Sequence, residues 1–121
     1  MQQPVTLVLG ASTKPNRYSY RAVSMLRKYG HKVEAVGNQG GTIEDVTIHT
    51  QVSETLKPET ITLYLNPIHQ KPYYNTILKL KPRRVIFNPG AENPELAILL
   101  QQNNIEPVEA CTLVLLSTHQ Y

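Results

Sequence analysis

Short apolar runs alternate with segments of helical periodicity along most of this chain, and this alternation restricts the folds open to it. Val5 to Leu9 is apolar enough for a strand that is buried on both faces. Ser19 to Tyr29 then carries its apolar residues at the i, i+3, i+4 and i+7 spacing of a helix. Such an order is typical of βαβ units, in which a helix joins two parallel strands. We therefore predict an α/β domain.

The remaining elements follow from the same patterns. The first helix has Ser19 as its expected N-cap and ends before Gly30. Residues 46–52 are either a short edge strand or an extended connection, and 53–57 either a short crossover helix or a loop. Taken together, these patterns predict a single Rossmann-like domain over residues 1–121. Its sheet is expected to be mostly parallel, with five or six strands and with helices on both faces. The other strands are predicted at 32–36, 61–65, 84–87 and 106–110, and the other helices at 70–80 and from Asn93 onward.

Composition excludes several functional classes. The chain has 121 residues, one cysteine and a formal net charge of +3, and its four histidines are scattered. These numbers argue against a disulfide framework, a zinc site and a nucleic-acid-binding surface. No apolar run is long enough to cross a bilayer, and the start of the chain lacks the basic flank of a secretory signal. We expect a cytoplasmic protein without a membrane or nucleic-acid partner.

The turn after the first strand carries the sharpest chemical signal. Gly10 allows a tight bend, and the small Ala11 and Ser12 allow backbone N–H groups to approach a phosphate. The helix that follows presents its positive N-terminal end to the same anion. Lys14 and Arg17 can neutralise the charge directly. The same residues could form a tight βα turn that binds no ligand. Their position directly after the first strand favours a phosphate-binding loop.

Three more unusual turns follow predicted strands, at 37–41, 66–67 and 88–93. In a parallel sheet they meet the first turn at one edge, where ligands of open α/β sheets bind. The G-x-G-x-x-G fingerprint is incomplete, since it retains Gly10 alone. The second strand ends at Gly37-Asn38 instead of the acid that holds a ribose. Both departures argue against an ordinary NAD dehydrogenase.

The run from Gly10 to Pro15 followed by Ser19-Tyr20-Arg21 resembles the small stand-alone CoA-binding domain proteins. These are similar to the N-terminal domain of the succinyl-CoA synthetase alpha subunit. The resemblance covers nearly the whole chain. Its weaker motifs, in chain order, are Val36 to Gly41, Phe87 to Asn93 with its Pro89-Gly90 turn, and Glu109-Ala110-Cys111.

This resemblance implies a Rossmann-like fold that binds coenzyme A or an acyl-CoA. It places Asn38 and the Gly40-Gly41 pair near the adenosine, and Asn66 and Pro67 nearer the adenine or the pantetheine arm. It assigns the diphosphate to the first loop, with two helix residues closing over it. The implied diphosphate residues are Gly10, Ala11, Ser12 and Lys14, with Ser19 and Tyr20 closing. Thr13 and Arg17 of the same segment are also predicted to bind the coenzyme.

The chain departs from the family pattern at two positions near the adenosine. Gln39 replaces an expected proline, and no lysine follows the Gly40-Gly41 pair to meet a 3′-phosphate. Arg17 or Arg21 could supply that charge instead. The late turn is also shorter than the family's, as Asn88-Pro89-Gly90.

No triad, metal motif or carboxylate pair is visible, so we predict a binding module without catalysis. Cys111 is either an inert buried thiol or a thiol that pairs with the CoA sulfur. Two alternatives stay open. One is an NAD(P)- or nucleotide-dependent enzyme or redox sensor with an atypical fingerprint. The other is an interaction protein whose apolar tail, residues 112–121, packs on the domain itself or forms a homodimer.

Overall fold

The computed structural model describes residues 3–121, which form one seven-stranded sheet with helices on both faces. The strand order is β3-β4-β2-β1-β5-β6-β7, and every pair is parallel except β3 with β4. The predicted α/β fold with a mostly parallel sheet is confirmed. The strands are β1 Val5–Leu9, β2 Lys32–Val36, β3 Gly41–Ile43, β4 Val46–His49, β5 Thr60–Leu63, β6 Arg84–Phe87 and β7 Glu106–Glu109.

Five α-helices and one 3₁₀ turn cover the sheet. The 3₁₀ turn joins α2 to α3, and together these replace the single helix predicted over 70–80. The helical segment begins earlier than predicted because the Asn66 side chain accepts a hydrogen bond from the His69 amide and caps α2. The helices are α1 Tyr18–Lys28, α2 Pro67–Gln70, α3 Tyr74–Leu80, α4 Pro94–Gln102 and α5 Thr112–Ser117, with the 3₁₀ turn at Lys71–Tyr73.

Successive side chains of each strand point to opposite faces of the sheet, so the hydrophobic core has two layers. In β1, Leu7 and Leu9 pack on one face beneath α3 and α4, and Val8 packs on the other face beneath α1 and α5. All three side chains are almost fully buried. A parallel strand that is covered on both faces buries nearly every side chain, which explains the mainly apolar runs of the sequence.

The predicted strand count was too low because the loop after β2 contains a strand of its own. Gly41–Ile43 turns back on Val46–His49 as an antiparallel hairpin, so the sheet has seven strands instead of five or six. Two contacts hold the hairpin tip to α1. The Ser24 hydroxyl donates to the Glu44 carboxylate at 2.7 Å, and Arg27 pairs with Asp45 at 2.6 Å.

Residues 53–57, predicted as either a short crossover helix or a loop, form a loop with a turn at 54–55. The N-cap prediction for the first helix was wrong. Ser19 does not cap α1: the helix begins at Tyr18, Arg17 is its N-cap, and the Ser19 side chain is buried inside the first turn. The capping prediction for Asn93 agrees with the structure, since its side chain accepts from the Leu96 amide at the start of α4.

The tail packs on this domain. In α5, Leu116 is buried in the same layer as α1, while Val114 remains 54% exposed. The Tyr121 ring lies 4.6 Å from the Arg84 guanidinium, and its hydroxyl meets the Thr6 hydroxyl at the start of β1. One of the two predicted arrangements, packing on the domain itself, is therefore present.

Two backbone contacts hold the turn after β1 against the end of β2. The Val36 carbonyl accepts the amides of both Gly10 and Ala11 at 2.9 Å. Gly10 has φ of +95°, a conformation that disfavours residues with a side chain. Gly37 has no room for a side chain, because an added Cβ would lie 2.1 Å from the Ala11 carbonyl oxygen.

A buried asparagine joins the middle of the sheet to α5. The Asn88 amide donates to the Thr62 hydroxyl at 2.6 Å and to the Leu63 carbonyl at 2.9 Å. Its carbonyl oxygen accepts the Thr112 amide at 2.8 Å, at the first residue of α5. The side chain is only 2% exposed, so water cannot replace these bonds without a rearrangement.

We predict that Gly37→Ala destabilises the protein by about 1 to 3 kcal/mol, because the added methyl group forces the first turn away from β2. Urea unfolding followed by circular dichroism measures the change. Gly40→Ala is the matched control, since its Cβ would lie 3.6 Å from the nearest atom, an ordinary contact. Equal stability of the two variants would contradict the packing described here.

We predict that Asn88→Ala costs about 2 to 4 kcal/mol of unfolding free energy, because it leaves buried donors and acceptors without partners. The control Asn75→Ala removes an exposed asparagine of α3 and should change stability by less than about 0.5 kcal/mol. The same unfolding experiment compares the two variants. If Asn88→Ala lowered the unfolding free energy no more than the control does, the hydrogen bonds of Asn88 would not stabilise the fold.

Candidate functional site

The carboxyl ends of the strands open into a cleft of about 870 Å³. It lies where the chain order reverses, because β1 has β2 on one side and β5 on the other. Crevices at such switch points bind the ligands of open α/β sheets. Eleven of the thirteen predicted site residues line it, namely Gly10, Ala11, Ser12, Thr13, Lys14, Arg17, Ser19, Asn38, Asn66, Pro89 and Gly90.

The other two predicted residues lie elsewhere. Tyr20 faces a second groove of about 860 Å³ beside α1, which Arg21 and Leu113 also line. Its position one residue after Ser19 turns it away from the cleft, since neighbouring helical residues point about 100° apart. Pro67 is the first residue of α2 and is half-buried outside the cleft lining.

The backbone amides that are free in the first turn are not all the ones that the sequence predicted. The amides of Gly10 and Ala11 already donate to the Val36 carbonyl, so they are not available to a phosphate. The Lys14 amide donates to the Ser12 hydroxyl at 3.1 Å. Within residues 3–121, the amides of Ser12 and Thr13 have no hydrogen-bond acceptor. The free donors of this turn therefore begin at Ser12, one residue later than the sequence indicated.

The start of α1 adds further donors. Its N-cap, Arg17, makes no side-chain capping bond, and the first turn contains no acidic residue. The first intrahelical bond at this end runs from Arg21 to Arg17, so the amides of residues 18 to 20 precede the helical ladder. An uncapped helix start directed toward a cleft is a favourable environment for a negative charge.

The lysine and arginine side chains that line the cleft carry positive charge. Lys14 and Arg17 line it from the loop, and both are exposed. His69 lines it from α2. Among the described residues that form the cleft wall, none is an aspartate or glutamate. A cleft with cations, free amides and no carboxylate attracts anions.

The wall opposite the loop is held by a buried polar network. Gln70, which is fully buried, donates from its amide to the carbonyls of Leu65 and Ala91, both at 2.7 Å. Its side-chain oxygen accepts the Asn93 amide at 2.9 Å, and that amide also donates to the Tyr74 hydroxyl at 2.8 Å. These bonds fix the Pro89-Gly90-Ala91 turn relative to α2. Asn93 therefore orders the site in addition to capping α4.

Sequence reasoning missed several cleft residues. Tyr64 and Leu65 directly follow β5, and Tyr18 begins α1, so their places beside predicted turns were the available signal. The Tyr64 hydroxyl is buried without a hydrogen-bond partner in the described part of the chain. Burial raises the pKa of this hydroxyl far above its usual range, so Tyr64 is a neutral wall of the cleft.

A glycine that follows β2, Gly41, packs on the turn after β1. Gly40 and Gly41, which the family resemblance placed near an adenosine, are not part of the cleft lining. An added Cβ at Gly41 would lie 2.5 Å from the Thr13 methyl carbon. This segment therefore supports the loop from behind, while Asn38 and Gln39 face the cleft.

The described residues contain no cluster of metal-binding side chains. Across residues 3–121, no three side chains of His, Cys, Asp or Glu are grouped to hold a metal ion. Cys111 is half-buried at the N-cap of α5 and outside the cleft lining, and its pairing with a thiol remains a hypothesis. None of the helices in this range is long and apolar enough to cross a membrane.

Solved structures share this fold. An uncharacterised protein is 45% identical over the whole of both chains, with a TM-score of 0.94. A Thermus thermophilus protein is 22% identical, with 99% of this chain and 92% of that one covered and a TM-score of 0.84. A dinucleotide-forming acetyl-coenzyme A synthetase of Candidatus Korarchaeum cryptofilum is 14% identical, and 87% of this chain matches 25% of that enzyme at a TM-score of 0.69. At these lower identities the likeness shows the fold alone.

No curated protein matches this chain. The family of CoA binding domains matches residues 5–117, which include every strand and helix described above. This agrees with the resemblance that the first loop suggested. The chain belongs to the CoA-binding domain family.

Proposed function

We propose that this chain binds coenzyme A or an acyl-CoA in the cleft at the switch point, as a binding or regulatory module without catalysis. The observation that carries the proposal is the chemistry of the cleft. Free amides of Ser12 and Thr13, the uncapped start of α1 and the cations Lys14 and Arg17 meet there with no carboxylate. Membership of the CoA-binding domain family supports coenzyme A as the anion.

The amides and the helix start would hold the diphosphate. Two oxygens of one phosphate can accept from Ser12 and Thr13 while the helix dipole favours the remaining charge. The Lys14 ammonium then neutralises it from the solvent side, and the Arg17 guanidinium at the start of α1 is left to meet a second phosphate. The cleft volume of about 870 Å³ is within the usual range for sites of large organic ligands.

Apolar residues in the cleft support a ligand larger than inorganic phosphate. Tyr18 is 66% exposed and Ile68 is 76% exposed, although both are large apolar side chains. Both line the cleft. An adenine ring or a pantetheine arm would cover this surface, and burial of apolar area is worth about 25 cal/mol per Å².

A nicotinamide dinucleotide is the competing ligand. The Rossmann proteins that bind it usually hold a ribose with an acid at the end of the second strand. Here that position is Gly37, where the Ala11 carbonyl leaves no space for a side chain. This favours coenzyme A over NAD. The proposed homodimer would use the exposed Val114 of α5, and the cytoplasmic location stays a prediction.

A panel of thermal shifts tests the proposal. A ligand that binds only the folded chain stabilises it by RT ln(1 + [L]/Kd), about 2.7 kcal/mol at a hundredfold excess over Kd. We expect CoA to raise the melting temperature by several degrees, and NAD and NADP to raise it little. A larger shift with NAD or NADP, or no shift with CoA, would refute the assignment.

Arg17 is the residue we expect to meet the 3′-phosphate. Arg17→Ala should weaken CoA about five- to tenfold, because it removes a charge-assisted contact, and should weaken dephospho-CoA less than about twofold. Isothermal titration calorimetry measures both. Arg21→Ala is the matched control, since this exposed arginine lies one turn further along α1 and lines the other groove. Equal loss for the two ligands would contradict the role of Arg17.

A further inference from the structure

Among the described residues, the cleft lining contains one histidine. His69 is exposed and lines the cleft from α2. Its backbone is fixed on both sides: its own amide donates to the Asn66 side chain at 3.0 Å, and the next residue is the fully buried Gln70. The Cα atom of His69 is therefore held at a set place in the cleft wall. In the described part of the chain the imidazole makes no side-chain hydrogen bond or ion pair.

The charged groups on the surrounding elements are nearly all cationic. Lys14 and Arg17 stand on the loop and at the start of α1, and Lys71 follows in the 3₁₀ turn. The acid on the neighbouring turn is Glu92, whose carboxylate accepts the Gly90 amide at 2.8 Å. The other titratable groups of the cleft are hydroxyls: Tyr18, Tyr64 and Tyr73. Side chains of these types ordinarily keep one charge state between pH 6 and 8, whereas histidine does not.

We infer that the His69 imidazole is a further binding group for the anionic part of the ligand, and that its protonation makes ligand affinity rise as the pH falls from 8 to 6. The inference rests on the proposed function. A bound anion favours the protonated ring, so by linkage the protonated ring favours the anion. The cation would join Lys14 and Arg17 in a cleft wall that has no carboxylate to neutralise it.

The test needs a ligand whose own charge stays constant. The 3′-phosphate of CoA changes charge near pH 6. Dephospho-CoA lacks that group, and its diphosphate diester stays doubly charged throughout the range, so it is the probe. Calorimetric titrations of the full chain at pH 6.0 and pH 8.0 give the two dissociation constants. For the unmodified protein we expect binding about three- to fivefold tighter at pH 6.0, the size of an exposed ion pair.

Three variants separate this role from a structural one. His69→Gln should bind with equal affinity at both pH values, close to that of the unmodified protein at pH 8.0. His69→Lys carries a permanent cation and should bind tightly at both, so at pH 8.0 it should exceed the unmodified protein. His49→Gln is the matched control, because His49 is an exposed histidine at the end of β4 outside the cleft lining. It should keep the full pH dependence.

Each contrary result has a distinct meaning. Equal affinity of the unmodified protein at the two pH values, or a pH dependence that survives in His69→Gln, would overturn the inference and leave the proposed function intact. Loss of the dependence in His49→Gln would also overturn it, since the effect would then come from outside the cleft. No binding of either dephospho-CoA or CoA at both pH values would overturn the proposed function, and this inference with it.

Discussion

The arrangement of the site depends on the contact between the turn after β1 and the end of β2. One carbonyl, that of Val36, accepts two consecutive amides from Gly10 and Ala11. The chain can approach so closely because Gly37 has no side chain to meet the Ala11 carbonyl. The contact uses the first two amides of the turn for folding. It thereby directs the next two, and the start of α1, toward the cleft.

This constraint changes how the loop is understood. In the simplest view, a glycine-led turn offers all its amides to a phosphate. Here the glycine and its neighbour serve the sheet, while Ser12 and Thr13 keep free donors. The loop is also supported from behind by Gly41, which contacts Thr13. The opposite wall has its own fixed framework in the bonds of Gln70 and Asn93. Both walls of the cleft are therefore held by contacts within the protein itself, and such preorganisation lowers the entropy cost of binding in general.

Much of the fold could be predicted from local patterns. The strand at Arg84–Phe87 and the Asn93 cap are where the sequence places them, because an apolar run and a capping side chain are purely local signals. The Gly41–Ile43 strand could not be predicted in the same way. It has three residues and begins with a glycine, and it is stabilised by its partner strand and by the contacts of Glu44 and Asp45 with α1. Those contacts join residues that are distant in sequence.

The sequence predicted which turns form the site but not which atoms in them are available. The predicted strand ends indicated which loops would lie together, and eleven predicted residues line the cleft. The direction of a helical side chain depends on the rotation of the helix about its axis, which packing on the sheet determines. In α1, Tyr18 faces the cleft and Tyr20 faces the other groove. Which amides are free depends on pairing with β2, and no pattern in a single chain reveals that.

The proposed site requires the anion of CoA to bind to specific amides at this edge of the sheet. A titration of the ¹⁵N-labelled protein with CoA, followed by amide chemical shifts, distinguishes these amides from all others. We expect the largest changes at Ser12, Thr13 and the first turn of α1, with small changes at Gly10 and Ala11. Changes centred on the groove of Arg21 and Leu113, with the Ser12 and Thr13 signals unmoved, would contradict the proposed site.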